Sequence, residues 1–369
     1  MILFPLGNGY CKEIRMNNLL QKIDLIIHSV YRKEEYPVLA WQMEKWNQTK
    51  PLQGLSVLDA TPIFRNTLIK YKALLLAGAD LSVGVGDKLP ADETVVKKLK
   101  SWDVPLIFPT EKERRFDLIL DCAASFSDLN ARLGYVELTR SGVEAYLKKE
   151  NPVYIADSGK IKKIETCLGT GESYFRAMKQ LGYHDWKGKN LVVFGSGKVG
   201  FGIIVYAHKL GANVTVITEL SSVTAQVREY AAEIIGLNEQ SRITDVIQKA
   251  NAVVTATGIV GAAGKVCPPE ILVNTSAILA NMGVEDEYGA SIPNEQVLNH
   301  KSALNFILEE PTQLKYMDAT MALHNEGAVY LVNHPESKGE IIPPQETENE
   351  MLDISRRDGM IGDELVLIL

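Results

Sequence analysis

Residues Gly195-Ser196-Gly197-Lys198-Val199-Gly200 follow the apolar run NLVVF and open the amphipathic run KVGFGIIVYAHKL. This G-x-G-x-x-G spacing suits phosphate binding. Gly195 permits a tight turn, Gly197 lets a pyrophosphate approach the backbone, and Gly200 lets helix and strand pack closely. The helix start offers unpaired N–H groups and the positive end of its dipole to the phosphates. The whole hexapeptide, with Ser196, Lys198 and Val199, is expected to form the cradle. Glu219 ends the next predicted strand, 19 residues after Gly200. Its carboxylate can accept both ribose hydroxyls and repels a 2′-phosphate, so NAD is favoured over NADP. Two further strand ends, Thr255-Ala256-Thr257-Gly258 and Asn281-Met282-Gly283, are expected at the same crevice, though each also fits a simple turn.

Such a motif works only on a scaffold of alternating strands and helices. ESYFRAMKQLGYHDW reads as a helix, NLVVF and NVTVITEL as strands around the Gly-rich turn. Residues 221–236 and ITDVIQKA read as helices, NAVVTATG and VNTSAILANMG as strands. Upstream, residues 14–46 are helical in period, LSVLDATP is a strand, and NTLIKYKALLLAGADLSVG is a helix followed by a strand. A polar helix over 91–103 precedes the strands VPLIF and FDLILDCAA. After about residue 310 only a helix near MDATMALHNEGAVYLV stands out, before a Pro/Glu-rich stretch, IIPPQETENE. Alternating elements of this kind predict parallel sheets covered by helices.

Composition sets the outer bounds. The 369 residues suit two domains, and 46% hydrophobic with 23% charged residues is the balance of a soluble globular protein. The net charge of −7, with no basic block, argues against a nucleic-acid or anionic-membrane surface. No run of apolar residues is long enough to span a membrane. The opening MILFPLGNGYCKEIR has no basic leader region and is not expected to be a signal peptide. Cys11, Cys122, Cys167 and Cys267 have neither redox-pair nor zinc spacing, and the six histidines form no ligand pair. No metal site is expected, and the thiols suggest a reduced, cytoplasmic setting.

The order of motifs resembles S-adenosylhomocysteine hydrolase (adenosylhomocysteinase), with altered catalytic positions. Over roughly residues 36–310, YPVLAWQMEKW, KPLQG, TLIKYKALLLAGADL, FDLILD, ELTRSGV, ADSGKIKKIETCLGTGES, VVFGSGKVGFG, VITEL, VTATG and ANMGVEDE follow in family order. The resemblance implies an α/β protein with an NAD-binding Rossmann domain over 172–310 and an N-terminal α/β substrate-type domain over 1–171. Residues 311–369 would supply a hinge helix and a C-terminal segment returning to the N-terminal domain. It implies a homo-oligomer, dimer or tetramer, with a small-molecule substrate in the interdomain cleft.

The cofactor side of the resemblance is well kept. Thr139 and Ser141 match hydroxyls at the nicotinamide end, and Gly195, Gly197, Gly200, Glu219, Thr257, Gly258 and Asn281 match the dinucleotide cradle. The catalytic side is not. The family's histidine after the first strand falls on Pro62, an aspartate on Cys122, a glutamate on Leu138, its lysine on Ile161 and a second histidine on Val284. Glu165 lies where the family has a catalytic aspartate; Lys162, in a run of lysines, and His324 are further candidates to manage a proton. Each of these also fits a structural role. The expectation is an NAD-dependent oxidoreductase on this scaffold, acting on a small polar metabolite without the usual hydrolysis. A divergent adenosylhomocysteinase and a catalytically silent NAD-binding regulator are the alternatives.

Overall fold

The computed structural model describes residues 8–369, with side chains from residue 13 onward. The stretch MILFPLG, weighed above as a leader, lies outside the described residues, as does the Cys11 side chain. Among the described residues no helix is long and apolar enough to cross a membrane.

Short apolar, β-branched runs make the strands: β1 (Ser56–Asp59), β2 (Asp80–Gly84), β3 (Leu106–Ile107), β4 (Arg115–Asp121), β5 (Asn130–Glu137), β6 (Val153–Ile155), β7 (Asn190–Phe194), β8 (Asn213–Thr218), β9 (Glu233–Gly236), β10 (Ala252–Thr255), β11 (Ile278–Asn281) and β12 (Glu340–Ile341). They pair in parallel into a seven-stranded sheet, order β12-β6-β5-β4-β1-β2-β3, and a five-stranded sheet, order β11-β10-β7-β8-β9. Most of these strands are buried along nearly their whole length, as expected where helices cover both faces.

The chain divides into two compact units. The first holds the described residues up to Lys162 together with Leu314–Leu365; the second holds Lys163–Gln313 and Val366–Leu369. The divisions thus fall at 162 and 313, against the 171 and 310 read from the sequence. Glycine packing explains the earlier boundary. Any side chain on Gly202, in the helix Lys198–Lys209, would collide with the Cys167 carbonyl oxygen, and one on Gly171 would collide with the Gly202 backbone. Residues 163–171, including a π-helical turn Ile164–Gly169, are therefore docked on the Gly-rich helix.

Each sheet begins at an interior strand. In the second unit the chain starts at β7, steps outward through β8 and β9, then crosses to β10 and β11. In the first it starts at β1, steps to β2 and β3, then crosses to β4, β5 and β6. The reversal leaves a crevice beyond the carboxyl ends of β7 and β10, and another beyond β1 and β4.

Several elements differ from the sequence reading. The expected helix over 221–236 is a helix only over Ala225–Tyr230; Ala231 is extended and Glu233–Gly236 pairs with β8. β5 and β6 were not anticipated. The Pro/Glu-rich stretch carries the helix Gln345–Asp358, with Pro344 as its N-cap residue and Glu346 and Glu348 in its first turn. Those carboxylates favour a helix N-terminus, and Met351, Leu352 and Ile354 bury its inner face.

The returning helix Leu314–Asn333 is tied in by a buried cap. Asp318 accepts hydrogen bonds from the Val38 and Leu39 amides, 2.9 Å each, at the start of the helix Pro37–Thr49. Burial pushes its carboxyl up to about 7. A raised carboxyl binds its proton more tightly in the folded chain, so its contribution is most favourable at acid pH and declines as pH rises from about 4 to about 7. Relative to Asp318→Asn, the wild-type chain should lose stability between pH 5 and pH 8 in urea unfolding; parallel pH curves would refute this assignment.

Candidate functional site

The turn after β7 is built for close backbone approach. Gly195 has φ +96°, and a Cβ there would come within 2.5 Å of the Ala256 carbonyl oxygen after β10. A Cβ on Gly200 would collide with the Gly195 carbonyl oxygen. Gly197, by contrast, is exposed and a Cβ there would meet nothing within 4 Å. It occupies the N-cap position of the helix Lys198–Lys209, and no side chain caps that end. The helix start with Lys198 and Val199 therefore presents its first amides and positive dipole end beside open space, which is where a pyrophosphate fits. Ser196 Oγ lies 3.0 Å from Thr218 Oγ1, holding the turn against the end of β8. The next residue, Glu219, is exposed, and its Oε1 accepts a 3.4 Å bond from Ser221 Oγ. The sequence-expected cradle residues are thus brought together, with the exposed Glu219 carboxylate at the end of β8 beside them.

The other two strand ends are held by a carboxylate the sequence reading missed. Buried Glu287 accepts bonds from the Thr257 amide (2.7 Å), the Thr257 hydroxyl (2.8 Å) and the Gly258 amide (2.7 Å). Asn281 is also fully engaged. Its Oδ1 accepts from Thr255 Oγ1 (3.0 Å) and the Gly283 amide (2.9 Å), and its Nδ2 donates to the carbonyls of Glu285 (2.7 Å) and Lys301 (2.6 Å). Thr257, Gly258 and Asn281 sit where expected, but as the struts of two locked loops.

In the first unit, β4 and β5 end side by side on Asp121 and Glu137. Both carboxyls are buried, and burial raises both; Asp121, with Glu137 beside it, reaches about 7. Glu137 accepts from the amides of Ala123 (2.9 Å) and Ala124 (3.2 Å) and from Thr139 Oγ1 (2.7 Å). Ala123 and Ala124 have φ of 59° and 52°, a conformation costing roughly 1–2 kcal/mol per non-glycine residue. Thr139 is therefore occupied by Glu137, while exposed Ser141 donates to Thr139 Oγ1 at 3.2 Å. Apolar strands ending on acids, FDLILD and GYVE, were the signal for this pair.

Beyond β1 lies a second buried network. Asp59 is in direct contact with the Lys70 ammonium, both fully buried, and Asp59 Oδ1 accepts from the Thr61 amide at 3.0 Å. Lys70 stands in the apolar run TLIKYKALLL, a charge whose placement was the overlooked clue. Burial pushes its ammonium well below the ordinary value. Thr61 Oγ1 lies 3.4 Å from His324 Nδ1, and His324 Nε2 lies 3.0 Å from the Val136 carbonyl. A carbonyl only accepts, so Nε2 carries the proton and Nδ1 takes the threonine hydroxyl. Burial and the neighbouring Lys70 and Lys162 push the imidazole well below its ordinary pKa. His324 is thus fully buried with both ring nitrogens engaged, the arrangement of a structural imidazole, which is the other role that the sequence left open for it. Lys162 is also buried, its Nζ 3.9 Å from Asp157 Oδ1. Glu165 is half-buried on the π-helical turn and belongs to the second unit. Cys122 and Cys167 are buried, and burial raises the Cys167 thiol to about 11. Among the described residues no cluster of His, Cys, Asp and Glu could hold a metal.

Comparison with known proteins agrees with this geometry. The family model "Alanine dehydrogenase/PNT, C-terminal domain" matches residues 181–282, which span β7 to β11. The chain is 24% identical over 259 residues to an adenosylhomocysteinase of Thermoplasma volcanium, covering 62% of each chain. It is 26% identical over 259 residues to an S-inosyl-L-homocysteine hydrolase of Methanosarcina mazei, covering 62% of this chain and 61% of that one. An S-inosyl-L-homocysteine hydrolase of Methanopyrus kandleri is 28% identical over 218 residues, 51% of each. The match thus spans less than two thirds of these relatives. The resemblance to adenosylhomocysteinases stands as that of a divergent, α/β two-domain relative, and the cofactor of the second unit is NAD.

The Asp59–Lys70 pair yields a stability prediction. Asp59→Ala strands a buried ammonium and should cost about 3–5 kcal/mol in urea unfolding. The double variant Asp59→Asn, Lys70→Met should recover most of that loss; a double variant as unstable as Asp59→Ala would contradict it.

Proposed function

We propose that the chain is an NAD-dependent oxidoreductase on the adenosylhomocysteinase scaffold, acting on a small polar metabolite without the usual hydrolysis of adenosylhomocysteine. One observation carries the reading: the cofactor cradle is kept while the hydrolytic acid–base positions are not. Leu138, Ile161 and Val284 stand where the resembled family has a glutamate, a lysine and a histidine, and none can hold or move a proton. Leu138 and Ile161 are buried in the first unit's core. Removing a positioned acid or base typically costs about 100- to 10,000-fold.

Bound NAD would supply a hydride acceptor or donor, held by Gly195, Ser196, Gly197, Lys198, Val199 and Gly200 at its phosphates and Glu219 at its ribose. Of the candidate side chains, Lys162 in the first unit would be a hydrogen-bond donor to a substrate oxygen, and Glu165 in the second a group that could exchange a proton. Buried Lys162 near the Asp157 carboxylate is suited to that part, since low-dielectric surroundings strengthen a charged hydrogen bond.

The relatives' names favour a second reading, a divergent hydrolase of adenosyl- or inosylhomocysteine. A free-thiol assay with NAD and either compound separates the two. The oxidoreductase reading expects no homocysteine above background with both, while release at ordinary enzymic turnover would overturn it.

A further inference from the structure

The first unit contains a cavity that neither crevice accounts for. Its volume is about 620 Å³, within the range of about 300–1,000 Å³ usual for small-molecule sites. One wall is the helix Asn8–Val30, through Met16, Leu19 and Ile23. The helices Thr67–Leu76 and Glu93–Ser101 contribute Tyr71, Leu75 and Leu99. Gln53 and Gly54 lead into β1, Asp80 opens β2, and Val104 and Pro105 lead into β3. These are amino ends of strands, whereas the crevice beyond β1 and β4 lies at carboxyl ends. The cavity is a separate place in the fold.

Its depth is apolar, and its rim is polar without net charge. Leu75, Leu81, Leu99 and Val104 are buried in its wall, and half-buried Trp102 adds an indole. Around them Arg15, Lys22 and Lys50 are matched by Glu13, Asp80 and Asp103. The Lys50 ammonium is already engaged by Asn47 Oδ1 (3.3 Å) and the Leu76 carbonyl (3.1 Å). A phosphate ester or a dinucleotide would therefore meet as much repulsion as attraction.

Tyr71 supplies one polar group in the apolar part. It is 1% exposed, and its hydroxyl has no hydrogen-bond partner among the described residues. Buried hydroxyls are normally paired, because the bond to water lost on folding is otherwise not replaced. A ligand oxygen that accepts from Tyr71 would replace it. We propose that this cavity is a second small-molecule site, for an uncharged aromatic ligand with an oxygen acceptor that takes the Tyr71 hydroxyl. Its place at the opposite strand ends from the crevice suits an effector rather than a substrate. The site does not depend on the cofactor reading of the second unit.

Nile red, an uncharged aromatic dye with a ring carbonyl, is the probe, titrated into the full chain by fluorescence. Saturation at one dye per chain is expected. Leu19→Trp, which fills the cavity from its helical wall, should weaken binding by about tenfold or more. Tyr71→Phe should weaken it by about fivefold, the worth of one hydrogen bond, without lowering the urea midpoint of the dye-free chain. A lowered midpoint would make the hydroxyl structural and overturn its part. Anilinonaphthalene sulfonate, similar in body but anionic, should bind about tenfold more weakly; equal binding would overturn the preference for an uncharged ligand. Added NAD should leave the dye in place. Dye binding that NAD displaces, that never saturates, or that both variants leave unchanged would overturn the site, with circular dichroism checking that the variants fold.

Discussion

The contact between Gly195 and the Ala256 carbonyl fixes the working half of this molecule. Because β7 and β10 are neighbours with the crossover between them, the turn leaving one must pass under the loop leaving the other. Only a glycine with positive φ fits beneath that carbonyl. Once it does, the helix start is aimed into the crevice, Ser196 reaches Thr218, and Glu219 is placed beside the cradle. The Glu287 clamp across Thr257 and Gly258 then fixes the opposite wall. Cofactor geometry here follows from a steric constraint more than from any single attractive contact.

How legible this was depends on the kind of interaction. The cradle could be read because its requirements are local: three glycines, a preceding strand, a following helix and an acid at the next strand end. The Glu287 clamp could not, since a carboxylate that satisfies amides thirty residues away leaves no spacing rule. Asn281 was matched to the dinucleotide cradle through the family resemblance, and nothing in the sequence showed that its amide also donates to the Glu285 and Lys301 carbonyls. The helix expected over 221–236 failed at Ala231, where pairing with β8 outweighs helical periodicity.

The first unit shows the same limit for titratable groups. Asp59–Lys70 and Asp121–Glu137 are charged residues inside or at the ends of apolar runs, and only the fold reveals that they meet. His324 looked suited to proton transfer because imidazole titrates near neutral pH. It is buried between Thr61 and the Val136 carbonyl, with two lysines nearby, and its pKa is pushed well below the ordinary value. Burial thus decides against the residue type.

The central claim is that the second unit is a cradle selective for NAD through Glu219. Titrating the full chain with NAD and NADP, in the wild type and in Glu219→Ala, tests it most directly. The account predicts one NAD per chain, much weaker NADP binding, and a loss of NAD affinity of about 10- to 100-fold in the variant, the worth of hydrogen bonds to a charged group. Equal binding of NAD and NADP by the wild type, or no dinucleotide binding at all, would contradict it.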